Sequence, residues 1–159
     1  MSWLDILALF VIIGVSFLES HRGFGLALFD AVGALIAVKV SISVTPKLAE
    51  SMRVGSSTNS AEAFWFLLSF IVLAGLMLLA SKLLYQTTLL SLDTMDPIVG
   101  AILGFASGII VSYVLLATMM LAYQGQPFAD VLSNTAAYQQ LVDFKGYNYL
   151  MDICRHIGE

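Results

Sequence analysis

From Pro97 to Ala129 the chain carries no charged side chain. A helix needs about 20 apolar residues to cross the hydrocarbon core of a bilayer, so this run is long enough to span one. Inside it, "GAILGFASG" sets Gly100, Gly104 and Gly108 four residues apart. Glycine weakens a water-exposed helix by roughly 1 kcal/mol relative to alanine, so the repeat needs a reason. The three fall on one helical face with Ser107, and with Ser112 at its margin, making a flat strip for another helix. Lipid tails are as apolar as leucine, so helices in a bilayer associate through close backbone contact and hydrogen bonds, which small residues permit.

Composition extends this reading to the whole chain. Hydrophobic residues make up 59% of the 159 positions and charged residues 11%, with a mean hydropathy of +0.90. Soluble domains carry about 25% charged residues, so this chain lacks the groups to coat a water-facing surface. The formal net charge of -4 and the seven scattered Lys and Arg exclude a polybasic nucleic-acid or anionic-lipid binder. The single cysteine, Cys154, forms neither an internal disulfide nor a metal site by itself.

Three further segments have spanning length. The first runs from Trp3 to about Leu18; with Asp5 near its start and "FLESHRG" at its end it lacks the form of a signal peptide. The second runs from Gly23 to about Val44 and is expected to stop at Thr45-Pro46, where the ring removes a donor. Only "ESHR" separates these two, which predicts a tight antiparallel hairpin. The third covers about 61–85, with Asn59 or Ser60 as N-cap, and the fourth about 97–123, with Asp96 as N-cap and Pro97 in the first turn. Trp3, Trp65, Tyr85 and Tyr123 fall near segment ends, where amphipathic rings meet headgroups. The fold class is therefore an all-α membrane protein: a four-helix transmembrane domain over 1–123 and a short amphipathic helical tail over 124–159. Apolar residues at Phe128, Val131, Leu132, Leu141 and Val142 suit a tail that packs on the bundle or on a partner.

One acidic residue lies deep in a span. On helix two Asp30 shares a face with Gly23, Ala27, Gly33, Ala34, Ala37 and Ser41, so it is expected to point into the bundle. Lys39 lies about half a turn around, cannot pair with it, and is expected to face lipid and snorkel. A carboxylate at depth costs several kcal/mol unless hydrogen-bonded, hydrated or protonated. Asp30 is thus either a proton or ion site, or a carboxyl that fixes helix register. Asp5 and Glu62 sit near helix N-termini, where they complement the dipole and need no further role. The sequence has no HExxH or GxSxG motif, no phosphate loop, and no nucleophile beside an obvious base, so no catalytic, cofactor-binding or metal-ligating residue is expected.

Two stretches, "WLDILALFVIIGVSFLESHRGFGLALFDAVGALIAV" and "LDTMDPIVGAILGFASGIIV", resemble the two best-marked regions of the colicin V production protein (CvpA) family. Arg22 and Gly23 at the first hairpin, Asp96 before the last helix, and Gly100, Gly104 and Gly108 fall on its positions; Pro97 departs from the basic residue often found after the Asp. The resemblance covers roughly residues 2–123. It implies a bacterial inner-membrane protein with four helices, linked to toxin production or secretion and to envelope integrity. Some relatives carry a trypsin-like protease domain on the outer side, and the segment after Tyr123 is too short for one. Counting Lys and Arg alone, Lys47, Arg53 and Lys39 against Arg22 and Lys82, puts the 45–60 loop inside. The resemblance implies instead that this loop and both termini are periplasmic, and the expectation follows it.

The expected function is a non-enzymatic membrane scaffold or accessory subunit of an envelope or secretion assembly. It would pack through helices two and four against copies of itself or other membrane subunits, with the lipid bilayer and no nucleic acid as its other partner. The alternatives are a small channel or proton-coupled transporter using Asp30, and a membrane anchor that positions a soluble enzyme through the tail.

Overall fold

A computed structural model of the chain describes residues 2–52, 58–88 and 95–144. Four long helices dominate: α1 (Trp3–Arg22), α2 (Phe24–Ser51), α3 (Thr58–Thr88) and α4 (Asp96–Ala122), followed by the short α5 (Pro127–Ser133) and α6 (Ala136–Leu141). At 1.5 Å per residue, the 20 residues of α1 reach about 30 Å, one hydrocarbon thickness. All four are long and apolar enough to cross a membrane. Their outward faces agree. Ile6, Phe10, Ile13 and Phe17 form one exposed stripe on α1, with Phe10 at 78% exposure, and Ile98, Ile102 and Phe105 form another on α4. Large apolar side chains so exposed belong against lipid tails.

The packing order differs from the expected hairpin. α1 and α2 are joined by Gly23 alone, at φ +83°, yet α1 lies along α4 and α2 along α3, with α2 and α4 holding the two pairs together. The glycine ladder is the reason. A methyl group on Gly100 would lie 2.7 Å from the Glu19 carbonyl oxygen, one on Gly104 2.8 Å from Ser16 Cα, and one on Gly108 2.7 Å from Ile12 Cα. No side chain fits at those separations, so α1 rests its backbone directly on α4. Two hydroxyls cross this seam: Ser16 Oγ donates to the Ala101 carbonyl at 2.7 Å, and Ser112 Oγ to the Ala8 carbonyl at 3.2 Å. On the other pair, Gly33 admits Met77, whose Cβ would lie 2.8 Å from an added methyl group. Ala37 is fully buried with Phe66, Phe70 and Val114 where α2, α3 and α4 meet.

Several helix boundaries lie beyond the expected ones. α1 continues to Arg22 instead of stopping at Leu18, because its last turn is held by the Glu19 to Arg22 ion pair and by His21 Nδ1 on the Phe17 carbonyl. α2 runs through Pro46 to Ser51. Proline removes one intrahelical bond, but Ser41, Thr45 and Ala49 are all buried, so packing continues past the ring; Thr45 Oγ1 also donates to the Ser41 carbonyl at 2.7 Å. α3 starts at Thr58, which places Asn59 and Ser60 inside it. Asn59 Nδ2 donates to the Gln124 carbonyl at 3.3 Å instead of capping.

The tail returns to the bundle. Leu132 and Tyr138 are buried with Leu4 of α1 and Leu116 of α4. The Phe128 ring lies between Trp3 and Tyr123, tilted to the first and edge-on to the second, with ring centroids 6.5 Å and 4.9 Å away. Asp5, expected to serve only its own helix, ties this cap down. Its Oδ2 accepts from the Ser2 N–H at 2.8 Å in a capping box, and its Oδ1 accepts from the Ala137 N–H at 2.8 Å. Burial pushes the Tyr138 phenol above its ordinary range, with Asp143 and Tyr113 adding to the effect. Cys154 and Arg53 lie outside the described residues.

Candidate functional site

The corner made by Gly23 brings the end of α1 against the second turn of α2. Glu19 and Arg22 are one helical turn apart, and Arg22 Nη1 contacts Glu19 Oε1 at 2.8 Å. The same nitrogen lies 2.5 Å from Asp30 Oδ2. Both carboxylates are buried, with side-chain exposures of 8% for Glu19 and 4% for Asp30, while Arg22 is 29% exposed. Arg22 thus reaches from the corner inward and neutralises charge at depth, as a long cationic side chain near a helix end can.

The cluster lines a cavity of about 320 Å³ bounded by all four long helices. Leu18, Phe70, Met77 and Val111 give it apolar walls, and Ser107 of α4 contributes a hydroxyl. Glu19 Oε2, both Asp30 oxygens and Ser107 Oγ are buried and have no hydrogen-bond partner, so Arg22 meets Asp30 as an ion pair alone. A charged group in this setting is stable only if its neighbours supply donors or countercharge. Arg22 supplies part of both.

The residues expected to matter divide into two sets. Arg22, Asp30 and Ser107 come together at the cavity. Gly100, Gly104 and Gly108 lie against α1, Gly33 against α3, and Ala37 in the shared core. Both small-residue faces are therefore filled within one chain. Asp96 is not the N-cap of α4. Met95 takes that position with helical backbone angles (φ -88°, ψ -11°) and no side-chain cap bond, so Asp96 becomes the first helical residue. There its carboxylate lies against the corner, 3.6 Å from where a methyl group on Gly23 would stand. Lys39 is exposed, on the side of α2 away from Asp30.

Glu19 escaped the sequence reading because the first helix was ended at Leu18. A signal was present: Asp5, Ala8, Ile12, Ser16 and Glu19 follow helical spacing, so a helix continued by one turn places Glu19 on the face that meets α4. The pairing of Asp30 with Arg22 needed the corner itself, since the two residues sit on different helices. Among the described residues, no group of three or more His, Cys, Asp or Glu is placed to hold a metal ion.

Compared with known proteins, the chain matches the family described as Colicin V production protein over residues 4–145. No curated protein and no solved structure gives a significant match. The family match and the four apolar helices make this a multi-pass membrane protein of a family linked to toxin production.

Proposed function

We propose that this chain, which belongs to the colicin V production protein family, is a non-enzymatic scaffold or accessory subunit of a bacterial envelope or secretion assembly. One observation carries the reading. Glycine faces, apolar clusters and the α5 to α6 cap are all used to join the chain's own helices, which makes a rigid membrane body with a cap fixed at one end. A body of this kind suits holding other subunits in register, through its outer apolar faces and its cap. It sits in the inner membrane with both termini and the α2 to α3 connection on the periplasmic side.

Extraction of the native protein into nanodiscs, with particle mass and identification of everything that accompanies it, tests this. The expected particle is heavier than one chain and contains further copies or other envelope or secretion subunits. A lone monomer removes the scaffold reading, and a soluble enzyme held at the tail replaces it with an anchor. Orientation is read separately. A Lys47→Cys, Cys154→Ser variant is expected to react with a membrane-impermeant maleimide from the periplasmic side, and protection there reverses the topology.

A further inference from the structure

The cluster at the α1 to α2 corner is short of hydrogen-bond donors. A single guanidinium nitrogen meets both carboxylates, while Glu19 Oε2 and both Asp30 oxygens have no hydrogen-bond partner. The shared nitrogen holds the two carboxylates side by side. Two ionised carboxylates cannot hydrogen-bond to each other, because both are acceptors only; a protonated one gains an O–H donor. Charge leads to the same result. Two carboxylates against one guanidinium leave a net negative charge where uncompensated charge is costly. One proton supplies the missing donor and balances the charge.

We propose that Glu19 and Asp30 hold a single exchangeable proton, with Arg22 compensating the carboxylate that remains and Ser107 facing the pair across the cavity. Among the described residues, the elements packed around the pair bring few other charged groups to it. On α1 the other ionisable group near the corner, His21, is exposed and bonded to the Phe17 carbonyl. α2 contributes only Asp30, since Lys39 points outward. The cavity residues of α3, Phe70, Ala74, Met77 and Leu78, do not ionise. α4 adds the Ser107 hydroxyl, and Asp96 lies at its first turn against Gly23 with a contact of its own. The partly exposed Arg22 marks the side from which the proton exchanges. This site is independent of the scaffold reading, which stands or falls on what the particle contains.

Infrared spectroscopy of the intact protein in nanodiscs tests the proposal. At neutral pH the expected spectrum shows a protonated-carboxyl C=O band that shifts in D2O and disappears as the pH is raised. Glu19→Gln and Asp30→Asn are each expected to abolish it, because the remaining carboxylate then pairs with Arg22 and the new amide. Should either variant fail to fold, wild-type protein carrying 13C-labelled aspartate or glutamate provides the assignment, by the isotope shift of the band. No band at neutral pH, a band unmoved by alkali, or a band that survives in both folded variants overturns the proposal. So does a missing band accompanied by a higher melting temperature in sodium or potassium salts, which would put a cation where the proton was placed.

Discussion

α1 ends in a buried acidic residue at each side of the bundle, and the two are treated differently. Asp5 has both oxygens occupied by N–H donors, one from Ser2 and one from Ala137. Glu19 has one oxygen on Arg22 and the other on nothing, and its neighbour Asp30 shares the same guanidinium. Backbone amides fix a carboxylate in one state, so the Asp5 end behaves as a fastening. The Glu19–Asp30 pair lacks such donors, so the proposed proton site lies at this end. Burial alone does not separate structural from chemical acids; the supply of donors does.

The contrast is broken most severely by removing Arg22. Arg22→Ala leaves the buried Glu19–Asp30 pair without its countercharge, and breaking a buried ion pair costs about 3–5 kcal/mol. Thermal unfolding in nanodiscs is expected to show that loss, and Glu19→Gln combined with Asp30→Asn in the same background is expected to recover much of it. Full stability of Arg22→Ala alone would mean that the carboxylates are already neutral or water-filled without it.

The seam that positions Glu19 is next. Gly104→Leu forces a side chain into a space where even a methyl group meets the α1 backbone at 2.8 Å. Overpacking costs typically about 1–3 kcal/mol when side chains can shift, and a backbone shifts less readily. Hydrogen exchange along α1 is expected to rise in this variant, because α1 must leave α4. Gly14 and Gly75 have nothing within 4 Å of an added methyl group. Gly14→Ala is therefore expected to be neutral or to gain up to about 1 kcal/mol from helix propensity. Equal damage from both substitutions would remove the role given to the ladder.

At the fastened end, Asp5→Ala removes a capping box and the bond to α6 together. Loss of a cap costs about 0.5–2 kcal/mol, and the Ala137 N–H loses its acceptor. Hydrogen exchange is expected to rise through Ala136–Leu141 while the α4 core stays protected. Uniform loss of protection would show that the cap and the bundle unfold as one.

Much of this arrangement was legible in advance, for reasons that can be stated. Span length and charge depletion marked all four helices, and the inward direction of Asp30 followed from the small residues around it, since helical periodicity is local. What failed was non-local. Pro46 stops an isolated helix, but Ser41, Thr45 and Ala49 packing across it is a tertiary fact. The glycine ladder showed that some helix would press on α4; that the helix is α1 depends on the Gly23 corner and on Ser16 and Ser112 meeting carbonyls across the seam. Glu19 lies one turn past the expected helix end, in a turn held by its own ion pair with Arg22.

The smallest effect expected is the response of the cap to alkali. Tyr138 is buried beside Leu4, Leu116 and Leu132, and its phenol is raised above the ordinary value of about 10, by burial first and then by Asp143 and Tyr113. A raised folded value means that the folded state holds the proton more tightly than the unfolded one. Its contribution is therefore complete below the ordinary phenol value and is lost as the pH rises through the folded one. Phenolate absorbance should then appear later than for free tyrosine and coincide with faster exchange in α6. Tyr138→Phe should abolish that alkaline step at little cost near neutral pH, because the ring still fills the cluster. If α6 loosens at the same alkaline pH in Tyr138→Phe, the step belongs to another group, and the fastened end of the bundle carries a titration that its paired carboxylate does not explain.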